Sequence, residues 1–600
     1  MASKKIDKVA LVELIRSLDG INNDQRADLL QLLNDRKRYG LVWEEHTEDV
    51  EEQLREKLPV LKEVCERRIL SDDAESPNHI LIEGDNLHAL IALTYTHEGK
   101  VDVIYIDPPY NTGNKDFIYN DSFVDAEDSF RHSKWLSFMK KRLHIAKRLL
   151  SDRGVIFISI DDNEQANLKL LCDEVFGSDN CMANMIWNLG TGTQAGHFTR
   201  AHEYVLIYAK KKGNIPNFSG GEGVIDHSAL KKISVKNPPV EFTFKAGTIF
   251  EAPDGFELKD SWGGSEKTTL ISGRMVAENG KLKYDVVLSA GFAMANQMHS
   301  WFSGKNTIDS KGQNVISFYF NSSGVLHYKK DKSVINPSTV LDSVGSTKQG
   351  TTKLKEIFKN NLPFDFAKPV DLICFLVKLR DKNAIILDFF AGSGTTLHAT
   401  MQLNEEDGGK RQCILVTNNE NNICEEVTYE RNKRVIEGYT TLKGENVEGL
   451  KNNNLRYYKI DFVDRDSSVT AMKKLMVAST DLLCIKQDLY EEKDTFGSIT
   501  LKPNIARYFN DGVKQMLIIY NTDAIESLVA EIEQMPEDTN IITYVFSTNN
   551  YPLNADFEDV ADKVSLCALP AAINNAYRNV LPNKLTPKSD DHETETISGE

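Results

Sequence analysis

A rhythm of strands and helices begins near residue 79, stops near residue 212 and resumes near residue 363, and it constrains this chain more than any other feature. His79-Ile-Leu-Ile-Glu-Gly84 is a short apolar run closed by glycine. Val101-Asp-Val-Ile-Tyr-Ile106 is a second, β-branched run ended by two prolines. Leu136, Met139, Leu143, Ala146 and Leu150 recur at three and four residues, which predicts a helix, with Gly154 as its C-terminal stop. Val155–Ile160, Tyr204–Ala209, Ala384–Phe390 and Cys413–Thr417 read as further strands, and Thr395–Leu403 as a helix. Strands alternating with helices bury apolar surface best as a parallel, doubly wound α/β sheet. Two stretches far apart in the chain must then share one sheet.

At 600 residues the chain exceeds what one core supports, so three or four domains are expected. The boundaries read as a helical N-terminal arm over 1–78, a first sheet half over 79–212, an insertion over 213–362, a second sheet half over 363–440 and a C-terminal domain over 441–600. Within the arm, Glu48 to Leu70 is rich in Glu, Lys, Arg and Leu, and reads as a solvated helical face interrupted by Pro59. The insertion is irregular and rich in Gly, Ser, Asn, Lys and aromatics. The last twelve residues hold five acids and no Lys or Arg, and are expected to form a disordered tail.

No apolar run approaches the roughly 18 residues that span a bilayer, and no signal peptide or membrane contact is expected. Eight scattered cysteines form no Cys-x-x-Cys pair, which argues against a metal site and for reduced thiols in the cytoplasm. The net charge of −17 is unfavourable for contact with phosphate, but it is unevenly spread. Residues 213–360 hold 18 Lys/Arg against 14 Asp/Glu, a local balance of 18 − 14 = +4 compatible with a localised DNA-binding surface.

Two motifs carry chemistry. Asp107-Pro108-Pro109-Tyr110 follows a strand directly, and ligands of open α/β sheets bind at the carboxyl ends of strands. An aromatic amino nitrogen is a poor nucleophile because its lone pair is delocalised. Acceptors for both of its hydrogens, here the Asp107 carboxylate and the Pro108 carbonyl, turn that lone pair towards an electrophile. Pro108 and Pro109 stiffen the loop and remove competing donors, and Tyr110 offers a flat face for an extruded base. The second motif, Asp388-Phe-Phe390-Ala-Gly392-Ser-Gly394-Thr395, joins a strand to a helix. Its glycines admit a ligand close to the backbone, and the helix N-terminus favours a negative group. Glu420 follows the next strand, where a ribose diol would lie. No phosphate loop with its lysine occurs, so an ATPase is disfavoured.

Together the motifs resemble the amino-methyltransferases of DNA, with Asp107–Tyr110 matching the catalytic motif and Phe390-x-Gly392-x-Gly394 the cofactor motif. Catalytic motif first and cofactor motif last is the circularly permuted order of the beta subgroup, whose insertion is the target-recognition domain. Glu83–Leu87, Tyr105–Gly113, Phe157–Glu164, His202–Tyr204, Lys368-Pro369 and Val427–Arg431 extend the likeness to the modification subunit of type III restriction–modification systems. The resemblance implies a Rossmann-like methyltransferase fold, S-adenosylmethionine as cofactor and methylation of adenine N6 in double-stranded DNA. It also implies a homodimer and an ATP-dependent restriction subunit as partners, and makes 441–600 an association domain. It places Asp85 near the cofactor adenine, Glu420 near its ribose and Lys368-Pro369 beside its methionine end.

Two alternatives stay open: a cytosine-N4 enzyme, whose family usually carries Ser where Asp107 stands, and a scaffold that keeps the fold without the activity. His202 reads as a structural residue beside the target pocket. Trp262, Gln297, Trp301 and Gln313 fit base contact or the core of the insertion equally.

Overall fold

The computed structural model describes residues 43–581 apart from 114–115, 120–121, 126, 196, 221, 311, 335, 360–363, 365, 467, 548–552, 570 and 579. The first 42 residues of the expected arm and the acidic tail lie outside the described residues. The chain forms two compact units, 216–338 and the remainder.

The larger unit is built on ten strands: β1 (Lys57–Glu63), β2 (Asn78–Glu83), β3 (Val101–Ile106), β4 (Leu150–Ile160), β5 (Cys181–Ala195), β6 (Phe198–Ala209), β7 (Val340–Leu341), β8 (Ile385–Asp388), β9 (Gln412–Thr417) and β10 (Asn454–Asp464). They run in the order β1-β10-β2-β9-β8-β3-β4-β6-β5-β7. The six from β10 to β4 are mutually parallel, while β1 and β6 are antiparallel to their neighbours. Helices α1 (Asp49–Glu56), α2 (Asn86–His97), α3 (Arg131–Leu149), α4 (Gln165–Phe176), α5 (Val370–Lys378), α6 (Thr395–Asp407) and α7 (Glu430–Glu437) accompany the sheet.

Strand periodicity explains how both faces are covered. Ile80, Ile82, Ile104, Ile106, Ile156 and Ile158 share one core cluster with Leu87, Leu90 and Leu93 of α2 and Met139 and Leu143 of α3. Their alternates Leu81, Val103, Val155 and Phe157 are fully buried on the opposite face, as a parallel sheet requires. Helix α2 is buried all round from Leu87 to His97, which accounts for its lack of a polar stripe. The doubly wound α/β class expected from the sequence is the observed one.

Three local expectations are corrected. Gly154 lies inside β4, not at a helix end; α3 stops at Leu149, and a Cβ on Gly154 would come within 2.8 Å of the Val101 carbonyl on the neighbouring strand. Close approach of two backbones, not a left-handed cap, selects glycine there. Residues 57–63 are not part of a solvated helix: Leu58, Val60 and Leu61 are buried where β1 pairs antiparallel with β10, and Pro59 sits on an edge strand that tolerates it. The sheet does not end at 440, because β10 fills the position beside β2.

The rest of the C-terminal part forms a five-stranded sheet with its own core around Phe496, Leu517, Ile532 and Phe557. Its Met516, Ile518, Leu569 and Tyr577 join the cluster on α2, and the Tyr577 hydroxyl donates to the Pro59 carbonyl at 3.0 Å. The smaller unit, 216–338, is rich in strands around a core of Phe242, Phe244, Phe250, Met298, Phe318 and Phe320. Trp262 and Trp301 pack against that core, and the Trp262 indole donates to the Gly324 carbonyl at 2.8 Å. Among the described residues no helix is long and apolar enough to cross a membrane.

Candidate active site

The site arises from the pairing of two strands that are nearly three hundred residues apart in the chain. Ile386 and Leu387 of β8 stand opposite Val103 and Ile104 of β3 in parallel register, so both strands end on the same edge of the sheet. One end releases Asp107-Pro108-Pro109-Tyr110 and the other the turn Phe389–Gly394. The ends of β2 and β9 lie beyond them, adding Asp85 and Glu420. A cavity of about 580 Å³ opens along this edge, lined by Asp85, Asp107, Pro109, Phe390, Gly392 and Glu420 among others.

The tetrapeptide Asp107–Tyr110 is braced by its neighbours. The buried Trp135 indole of α3 donates to the Pro109 carbonyl at 2.8 Å. Asn111, in the left-handed region at φ 56°, donates its side-chain amide to the buried Glu164 carboxylate at 2.5 Å. Glu164 also pairs with His132 at 2.6 Å. The Tyr110 hydroxyl donates to Glu203 Oε2 at 2.8 Å and accepts from Lys368 Nζ at 2.8 Å. Lys368 Nζ lies 3.0 Å from Asp107 Oδ1 and 3.5 Å from Glu203 Oε2.

Electrostatics follow from this packing. Burial pushes the Asp107 carboxyl above its usual range, opposed by the Lys368 ammonium. Burial acts to lower Lys368, but Asp107 and Glu203 outweigh it and hold the ammonium above the ordinary lysine value. Burial, with Asp107 and Glu203 adding to it, raises the Tyr110 phenol well above its usual value, so the hydroxyl keeps its proton.

The glycine turn is held by the chain around it. Asp388 does not reach the cavity: its carboxylate accepts from the Thr396 hydroxyl at 2.6 Å and the Phe390 amide at 3.0 Å, and burial pushes it up to about 7. It shapes the turn that the sequence assigns to it. Gly392 and Gly394 have φ of 47° and 74°. A Cβ on Gly394 would overlap the Asn432 amide and lie 3.1 Å from Thr428 Cγ2, whereas one on Gly392 would meet Phe364 Cζ at 3.4 Å. Thr395 is buried behind the turn, where its hydroxyl accepts from Arg431 at 2.7 Å and donates to the Lys368 carbonyl at 3.3 Å. Asp85 caps α2 by accepting from the Leu87 amide at 2.8 Å, leaving part of its carboxylate at the cavity. Glu420 is exposed at the rim.

The model of the family described as DNA methylase, N6_N4_Mtase, matches residues 101–437, a span that holds both motifs and both strands. The chain belongs to the DNA methylase family. It is 33% identical over 387 residues to the type III restriction-modification enzyme StyLTI Mod subunit of Salmonella typhimurium, covering 59% of this chain and 54% of the relative. It is 34% identical to the EcoPI Mod subunit of Escherichia phage P1, covering 58% and 59%. With the type II methyltransferase M.KpnI of Klebsiella pneumoniae it shares 31% identity, covering 61% of this chain and 87% of that one. The chain thus spans little more than half the length of the first two relatives.

The methylase site contains residues that the motifs alone do not reveal. Glu203 meets Tyr110 and Lys368, while its neighbour His202 pairs with the Tyr204 hydroxyl at 3.0 Å and Tyr204 in turn with Asp162. Strand alternation is the signal: in β6 residue 203 faces away from 202 and 204. Glu48 and Arg142 line the cavity as a buried pair at 2.9 Å, and Arg142 donates to Asn86 at 2.5 Å beside Asp85. The side chain of Lys368 is directed at Asp107 and Tyr110.

Proposed function

We propose that the chain transfers a methyl group from S-adenosylmethionine to the exocyclic amino nitrogen of adenine in double-stranded DNA. We also propose that it serves as the modification subunit of a type III-like restriction–modification system. One observation carries this reading: the parallel ends of β3 and β8 bring Asp107 and the Phe390–Gly394 turn onto a single cavity.

The cavity suits such a cofactor. Among the described residues its lining holds six acids, Glu48, Asp49, Asp85, Asp107, Asp116 and Glu420, against one cation, Arg142, which favours a ligand of net positive charge. Asp85 and Glu420 offer acceptors to an amino group and a diol, and the positive-φ glycines let the ligand lie against the backbone. When bound, S-adenosylmethionine supplies a methyl group activated by a positively charged sulfur. Asp107 and the Pro108 carbonyl accept the two amino hydrogens of an adenine turned out of the helix, and Tyr110 stacks on its ring. The nitrogen lone pair is thereby aimed at the methyl carbon, and the proton it sheds after transfer leaves by way of Asp107. Holding both reactants in line is the main source of rate.

In this reading the unit 216–338 reads the DNA sequence and the C-terminal part supports association, as a homodimer and with an ATP-dependent restriction subunit, in the cytoplasm. Asp107 favours adenine over cytosine-N4. The test is single-molecule sequencing of DNA from a methylation-free host expressing the chain, beside Asp107→Ala. Methylated adenine in one short motif, absent with the variant, is the expected outcome. Unmodified adenine in both samples would overturn the reading, and modified cytosine would redirect it to the N4 position.

A further inference from the structure

Lysine is rarely buried unless its charge is answered, and at Lys368 two carboxylates answer it. Its ammonium donates to the Tyr110 hydroxyl at 2.8 Å and forms ion pairs with Asp107 Oδ1 at 3.0 Å and Glu203 Oε2 at 3.5 Å. The rings of Tyr110 and Trp187 close over it, with centroids 4.9 and 5.7 Å away. Trp187 is itself fully buried and tied by its indole N–H to the Gly345 carbonyl at 2.9 Å. Such an ammonium has little room to move.

The geometry points to Lys368 and Glu203 as positioning residues for methyl transfer: Lys368 is the fixed counter-ion of Asp107, and Glu203 anchors both that ammonium and the Tyr110 hydroxyl. The assignment rests on the proposed function, in which Asp107 and Tyr110 meet the target base. The consequences are chemical. Asp107 must stay a carboxylate to accept an amino hydrogen, in a place where burial opposes its charge. Lys368 supplies the compensating cation; Glu203, the Tyr105 and Tyr110 phenols and the buried Asp388 are the other titratable groups that bear on it. Glu203 repels the Asp107 charge directly while holding Lys368 in place. The Tyr110 hydroxyl, donating to Glu203 and accepting from Lys368, fixes the angle of the ring on which the base would stack.

The test is the single-turnover rate of adenine methylation on DNA from a methylation-free host, measured from about pH 5.5 to 8.5. Wild type, Lys368→Met, Lys368→Arg and Glu203→Gln are compared, with S-adenosylmethionine affinity by calorimetry. In Lys368→Met the acid limb should move to higher pH, so that its deficit against wild type is several-fold larger at pH 6.5 than at pH 8.5, about tenfold being the most that a shift of one pKa unit produces. Lys368→Arg, which keeps the charge, should retain the wild-type acid limb at a reduced rate. Glu203→Gln should move the limb the other way, since a repelling charge is gone, while slowing turnover on the alkaline plateau. Cofactor affinity should stay within about twofold throughout, which also shows that each variant is folded. An unshifted limb in Lys368→Met, or a loss of cofactor binding with the pH profile unchanged, would overturn the assignment and return Lys368 to the cofactor. If wild type itself transferred no methyl group, the proposed function would fall and this assignment with it.

Discussion

At the scale of single residues, Gly392 and Gly394 belong to one turn after β8 but have different surroundings. Both have positive φ, which disfavours a Cβ. Only at Gly394 does that Cβ also overlap a neighbour, the Asn432 amide, which is buried and donates to the Gly394 and Thr428 carbonyls at 3.3 and 2.8 Å. Gly394→Ala should therefore weaken S-adenosylmethionine binding and lower the melting temperature more than Gly392→Ala. Backbone strain alone is worth on the order of 1–3 kcal/mol at each position. Calorimetric titration and thermal unfolding of the two variants check the order, and equal effects would remove the steric part of the argument. The same contrast shows how far the motif was legible. Its residue types announced a close backbone approach, but the neighbour that makes one glycine stricter comes from α7, nearly forty residues on.

At the scale of elements, β1 is the clearest case of context overriding local pattern. Its charged flanks and single proline read as a solvated arm, yet Leu58, Val60 and Leu61 are buried, with β10 as the neighbouring strand. Leu61→Ala should destabilise the protein by about 2–5 kcal/mol, the usual cost of such a truncation in a packed core. A change below about 0.5 kcal/mol in denaturant unfolding, typical of an exposed site, would restore the arm. The central strands were legible because they are continuous apolar β-branched runs, a signature that survives without knowledge of neighbours. The strand at 57–63 has no such run, and its partner lies some four hundred residues away.

At the scale of the whole molecule, buried titrating groups set how stability varies with pH. Burial lowers His79 to about 4 and His97 to about 3, below the ordinary histidine value of 6.5. Their folded pKa values are depressed, so the stability they contribute is present above pH 6.5 and is lost as pH falls through 4 and below. Asp388 acts in the opposite sense. Burial raises it from 3.8 to about 7, so its contribution is complete below pH 3.8 and is lost as pH rises through 7. Between pH 4 and 6.5 the histidines and Asp388 therefore oppose one another. Asp388→Asn removes the opposing member, and its unfolding free energy should climb more steeply with pH in that window than that of wild type. Chemical denaturation at several pH values measures both slopes, and parallel curves would show that Asp388 does not titrate there.

What the sequence by itself determined is everything that depends on residue type and local period: the α/β class, the tetrapeptide at a strand end, the glycine turn and the order of the two motifs. These are legible because apolar alternation, proline and glycine act on the backbone within a few residues. What only the tertiary structure decided is which of those pieces touch. The pairing of β3 with β8, the strand edge at 57–63, the reassignment of Gly154 and the turning of Lys368 towards Asp107 all follow from strand order in the sheet. Strand order is set by which distant faces bury each other, and a buried lysine goes to whichever carboxylates the folded sheet puts within reach.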